Sequence, residues 1–113
     1  MYMLVIINWN INNVSFYRAD LFESIEQAPW AQNHYDKILL DPPRAGAKEL
    51  CEQIDMFKAS RIVYVSCASA TLARDAKIIV NNGYKLVKAG VMDMFPHTTH
   101  VESMAVFDAG KGI

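Results

Sequence analysis

With 113 residues, of which 52% are hydrophobic and 20% charged, the chain has the length of one small domain and enough apolar content for a core, which excludes a disordered polypeptide. A formal net charge of -1 excludes a global basic field for nucleic acid and leaves only a local patch open. No apolar run approaches the ~18 residues of a membrane-spanning helix, so no membrane association is expected.

The start, MYMLVIINWN, has an apolar run without preceding positive charges or a small-residue cleavage site, and is not read as a secretory signal. Asn13–Asp20 (NVSFYRAD) reads as a strand, because Val, Phe and Tyr suit a pleated, half-buried surface. Leu21–Trp30 reads as a short helix or turn, stopped near Pro29. Tyr35–Pro43 (YDKILLDPP) is a strand whose run Ile38-Leu39-Leu40 fits burial on both faces, and which the two prolines must end. After Gly46, Leu50, Ile54 and Phe57 at i, i+4 and i+7 predict a helix. Arg61–Ser66 (RIVYVS) is the next strand. A second helix is predicted over about 70–82, with Leu72, Ala76 and Ile79 on one face and Gly83 as its stop. YKLVKAGVMDMF and HVESMAVF read as two final strands, joined by the loop Pro96-His97-Thr98-Thr99.

Strands alternating with helices predict an α/β fold with a mostly parallel sheet. Two strands joined by a short loop predict one antiparallel edge strand. A nucleotide-type α/β site normally begins with a strand feeding a glycine-rich turn. None precedes Asp20, and all five glycines lie at position 46 or later. The expectation is therefore a single-domain chain, 1–113, that corresponds to the later part of such a domain.

In a parallel sheet the C-terminal strand ends share one edge, where ligands bind. Asp20, Asp41 and Cys67 follow consecutive predicted strands and should line that edge. Glu102 begins the last strand and reaches the same edge if that strand is antiparallel. Each has a plainer reading. Asp20 and Glu102 can be solvated carboxylates, Asp41 a cap on the Pro42-Pro43 turn, and Cys67 a small apolar filler. Cys51 lies beside the apolar stripe of a helix and is assigned to packing. The two cysteines lack metal-ligand spacing and point to a reduced, cytoplasmic protein. His97 and His100 lack an evident third ligand, so no metal is expected.

Three segments, DPPRAG (41–46), RIVYVSC with Thr71, and DMFPHTTHVES (93–103), occur together in this order. They resemble the RNA uracil-5 methyltransferase family over about Asn13 to Phe107. LLDPPRAGA and DMFPHT look more like the bacterial members that act on 23S ribosomal RNA than those that act on transfer RNA. The resemblance implies a partial class I, Rossmann-like methyltransferase fold that uses S-adenosyl-L-methionine to methylate C5 of a uridine in RNA. By the family pattern Cys67 matches the nucleophile, Glu102 the general base, and Asp20 and Asp41 cofactor-contacting positions. The iron–sulfur cysteines that some members carry have no counterpart in this chain. The family usually reads Ser-Cys-Asn-Pro where this chain has Ser66-Cys67-Ala68-Ser69. Ala68 removes a polar side chain beside the nucleophile. Ser69 removes a proline that pre-sets the first helical turn, although serine can itself cap a helix.

Two alternatives stand beside this reading. The missing glycine-rich turn favours a non-catalytic remnant, or a half-domain that assembles with another chain or itself through an open sheet edge. A transfer RNA substrate is the narrower alternative.

Overall fold

A computed structural model of the chain describes residues 2–7, 15–20, 25–26, 28–92 and 102–110. The strands are β1 (Tyr2–Ile7), β2 (Ser15–Asp20), β3 (Lys37–Leu40), β4 (Arg61–Ser66), β5 (Tyr84–Met92) and β6 (Glu102–Ala109). The helices are α1 (Lys48–Glu52) and α2 (Ser69–Asn81), with 3-10 turns at Pro29–Gln32 and Ile54–Phe57.

β3, β4, β6 and β5 form one sheet in that spatial order. β3 and β4 are parallel, whereas β6 is antiparallel to both β4 and β5. The expectation of a mostly parallel sheet with an antiparallel edge strand is thereby corrected. The crossover through α2 sets β5 one position away from β4, and β6 fills the gap between them. The antiparallel strand is interior, and β3 and β5 are the edges. The expected place of Asp20 is corrected too. β2 pairs antiparallel with β1, from Tyr2 opposite Asp20 to Ile7 opposite Ser15, in a separate two-stranded sheet. Tyr17 and Ala19 of β2 nevertheless pack against the main core.

Strand alternation sets the core. Ile62, Tyr64 and Ser66 of β4 are buried, while Arg61 is exposed and Val63 and Val65 are half-buried. Ile54, Ile62, Ile79 and Phe107 are wholly buried. Each contributes about 1.5–3 kcal/mol relative to exposure. Trp30 stacks on Phe57, with ring centroids 6.0 Å apart.

The predicted helix after Gly46 is two short pieces. Gln53, at φ -112° and ψ 9°, leaves the helical region, so α1 ends and a 3-10 turn follows. Its three apolar positions, Leu50, Ile54 and Phe57, are all buried as the spacing requires. Pro29 opens a 3-10 turn, where its missing N–H costs nothing at a first helical position, and half of the predicted Leu21–Trp30 helix or turn lies outside the described residues. α2 matches its prediction closely. Ile79 is buried, Leu72 and Ala76 pack on the core, and Gly83, at φ +100°, stands just past its end. The predicted Pro96–Thr99 loop lies outside the described residues.

Candidate active site

β4 ends at Ser66, whose buried hydroxyl accepts the Ala68 N–H at 2.9 Å and donates to the Ala68 carbonyl at 2.9 Å. This local ring turns the chain sharply between strand and helix. Cys67 stands at the tip of the turn, free and exposed. Ser69 does not cap α2: it is the first helical residue, and the cap position, Ala68, makes no side-chain bond.

Beyond β3, Pro42 is buried and Asp41 and Arg44 are exposed. The Gly46 N–H closes a turn onto the Pro43 carbonyl at 2.8 Å, with glycine at the final position that such turns favour. This loop is tied to the Cys67 turn and to α2. An Arg44 N–H donates to the Cys67 carbonyl at 3.4 Å. The Thr71 hydroxyl lies 2.9 Å from the carbonyls of both Arg44 and Ala68. Arg74 donates to the Ala45 carbonyl at 2.9 Å, and the Ala47 N–H donates to Asp75 Oδ2 at 2.8 Å.

Ladder register locates the carboxylates. Ser66 is paired with Ser103 in the last pair of the β4–β6 ladder, so Cys67 follows that pair on one strand and Glu102 precedes it on the other. Glu102 is half-buried and is also paired with Met92 of β5. Leu40 is paired with Tyr64, so Asp41 begins the chain beyond β3 at the same edge. Asp41, Cys67 and Glu102 thus stand at one sheet edge. Asp20 ends β2 in the other sheet, and strand pairing does not align it with them.

The two thiols differ in setting. Burial pushes the Cys51 thiol far up from its ordinary range, and the nearby Asp75 charge pushes it further. Cys51 is therefore a packed thiol, held protonated. Burial, and then the bond to Asp75, likewise raise the Tyr64 hydroxyl. Among the described residues no group of three or more His, Cys, Asp or Glu is arranged to hold a metal ion, and His97 and His100 lie outside them. No described helix is long and apolar enough to cross a membrane.

A family profile described as tRNA (Uracil-5-)-methyltransferase matches residues 12–109. The chain belongs to this uracil-5 methyltransferase family. Within it, the chain is 66% identical over 103 residues to the 23S rRNA (uracil(1939)-C(5))-methyltransferase RlmD of Francisella tularensis subsp. novicida, covering 89% of this chain and 23% of that protein. It is 61% identical over 102 residues to RlmD of Hahella chejuensis, covering 87% of this chain and 23% of that protein. The chain spans about a quarter of the length of these curated relatives. Among solved structures it is similar to the Pyrococcus abyssi tRNA (uracil-54, C5)-methyltransferase in complex with S-adenosyl-L-homocysteine. That match has 41% identity and a TM-score of 0.58, covering 66% of this chain and 19% of the other. The M1.HpyAVI–SAM complex matches in fold alone, at 17% identity and a TM-score of 0.62 over 84% of this chain and 54% of that one.

DPPRAG and Ser66-Cys67 therefore meet in space through side-chain-to-backbone bonds that their sequence separation hides. Sequence reasoning missed Asp75, which is wholly buried and accepts the Ala47 N–H just after DPPRAG and the Tyr64 hydroxyl of β4. The signal was present: Asp75 falls between Leu72 and Ile79 on the apolar stripe of α2, where an unpaired charge does not belong.

Proposed function

We propose that this chain forms the nucleophile and base side of an RNA uracil-5 methyltransferase active site, within a longer enzyme that acts on 23S ribosomal RNA. The observation that carries the reading is the Ser66–Ser103 pair, which brings an exposed cysteine, next after Ser66, and a half-buried glutamate, next before Ser103, to one sheet edge. Uracil C5 is a weak nucleophile. Addition of the Cys67 thiolate to C6 moves the double-bond electrons through C5 toward the C4 oxygen, which makes C5 nucleophilic. The methyl group comes from S-adenosylmethionine. Glu102 then accepts the C5 proton, the C5–C6 double bond re-forms, and the thiolate leaves. A base within an RNA helix must be unstacked to reach this edge.

The residues present suit part of such a cofactor. Asp41 offers an exposed carboxylate at the edge, able to accept bonds from amino or hydroxyl donors. Asp20 is retained as a second cofactor-contacting position on the family pattern alone. The ribosomal substrate is favoured by the two RlmD relatives at 66% and 61% identity. A transfer RNA substrate draws weaker support from the archaeal enzyme at 41% identity. A cytoplasmic site of action fits both. Self-association is supported by β3, an edge strand whose Leu39 is 68% exposed.

Glu102→Gln in the full-length enzyme tests the assignment, since it keeps size and loses basicity. A methylated covalent protein–RNA intermediate should accumulate. Turnover at the wild-type rate excludes the role.

A further inference from the structure

We infer that Asp75 is a positioning residue, which works with Arg74 to clamp the loop 44–47 and thereby holds that loop against Cys67. The catalytic consequence rests on the reading of Cys67 given above; the clamp itself does not.

A carboxylate with no solvent exposure is costly unless every lone-pair direction is met. At Asp75 the partners are the Tyr64 hydroxyl at 2.5 Å and the Ala47 N–H at 2.8 Å on Oδ2, and Arg74 Nε at 3.0 Å on Oδ1. Arg74 Nη2, itself 2.9 Å from Asp75 Oδ1, also donates to the Ala45 carbonyl at 2.9 Å. One charged pair therefore grips the loop on both sides of Gly46. Thr71, Arg74 and Asp75 fall at i, i+3 and i+4, one face of α2, and Thr71 holds the Arg44 carbonyl. Gly46 is where the fit is tightest. A Cβ there would lie 2.6 Å from both Arg74 Nη2 and Asp75 Oδ2.

These bonds close a ring. Cys67 leads through Ala68 into α2, α2 grips the loop through residues 71, 74 and 75, and Arg44 of the loop returns to the Cys67 carbonyl. A carboxylate that served only the core needs the Tyr64 bond. It has no need of an arginine that reaches past it to a loop carbonyl. The Asp75 charge matters because Arg74 must be met by an acceptor. Asparagine keeps the shape but turns an NH2 toward either the guanidinium or the loop N–H.

The test compares Asp75→Asn, Arg74→Ala and Tyr64→Phe in the full-length protein. Trypsin cleavage at the Arg44–Ala45 bond, followed by mass spectrometry, reads the loop directly. Asp75→Asn and Arg74→Ala should be cut about tenfold faster than wild type at a temperature where both remain folded. Tyr64→Phe should lower Tm and leave that rate unchanged. If Asp75→Asn does not fold, Arg74→Ala decides, because the Arg74 side chain is 42% exposed. In methyl transfer, both variants should lose kcat by roughly tenfold or more with little change in KM for RNA. Wild-type cleavage rates in the folded variants overturn the clamp. Faster cleavage with unchanged kcat overturns the positioning role. A Cys67→Ala control that keeps activity overturns the catalytic reading and leaves the proteolysis result standing.

Discussion

Alanine at Gly46 and at Gly83 makes a matched pair of perturbations. Both glycines have positive φ, +81° and +100°, so an L-residue at either is strained. That conformational cost is about 1–2 kcal/mol at each. Their surroundings differ. A Cβ at Gly83 meets nothing within 4 Å, whereas one at Gly46 comes within 2.6 Å of Arg74 Nη2 and Asp75 Oδ2 and within 3.3 Å of Thr71 Cβ. The Asp75 carboxylate is buried, so it cannot withdraw into solvent. The loop must lift, which breaks the Ala47 N–H bond and the Arg74 bond to the Ala45 carbonyl. Leaving buried partners of this kind unmet costs about 1–3 kcal/mol. Gly46→Ala should therefore destabilise by about 2–5 kcal/mol in total and Gly83→Ala by about 1–2. Urea denaturation of the 113-residue chain reads both as shifts in midpoint at constant slope. Equal destabilisation by the two substitutions would refute the claim that the loop is held tightly against α2.

Ellman's reagent should count one thiol in the native chain, the exposed Cys67, and two after unfolding, when Cys51 is released; two fast thiols in the native state contradict the packing assigned to Cys51. Cys51 and Tyr64 both hold their protons more tightly when folded, so their contribution is complete below the unfolded thiol value of ~8.5 and is lost as pH rises above it. Urea midpoints at pH 7 and pH 10 should show this fall, and Cys51→Ala should reduce its steepness. The opposite sign applies to Asp108, whose carboxyl is lowered by its bond from Arg61. Its contribution is present above ~4 and is lost as pH falls further, and Asp108→Asn should flatten that acid limb. Calorimetric titration should show this chain binding S-adenosylmethionine roughly 10²-fold more weakly than the full-length enzyme, since Asp41 supplies only part of a cofactor's bonds.

Much of the architecture was legible because local chemistry determined it. Pro42 and Pro43 had to end β3. Gly83 had to follow α2. Arg61–Ser66 read as a strand, although its unbroken apolar run Ile62-Val63-Tyr64-Val65 did not show that Ile62 and Tyr64 would be the buried pair. Strand order was not legible. Periodicity tells which face of β6 is buried, and the same pattern serves an edge strand or one inserted between β4 and β5. The separation of β2 from the main sheet was hidden for the same reason: pairing with β1 is a long-range choice that the Asn13–Asp20 pattern does not record. The predicted helix after Gly46 failed at Gln53, where tertiary packing satisfied the same apolar spacing with two short turns. At the site, strand ends alone brought Asp41, Cys67 and Glu102 to one edge. Their chemical roles came only with the family motifs. Asp75 escaped notice because its partners, Ala47 and Tyr64, lie 28 and 11 positions away along the chain.

The central claim is that Cys67 becomes covalently joined to uracil C6. The most direct measurement incubates the full-length enzyme with cofactor and RNA carrying 5-fluorouridine, whose fluorine cannot be removed as a proton, and maps the trapped adduct by tryptic mass spectrometry. The account predicts that the modified residue is Cys67, in the peptide from Ile62 to Arg74, and that Cys67→Ala abolishes the adduct while Cys51→Ala leaves it unchanged. An adduct that forms undiminished in Cys67→Ala, or that maps to another residue, contradicts it.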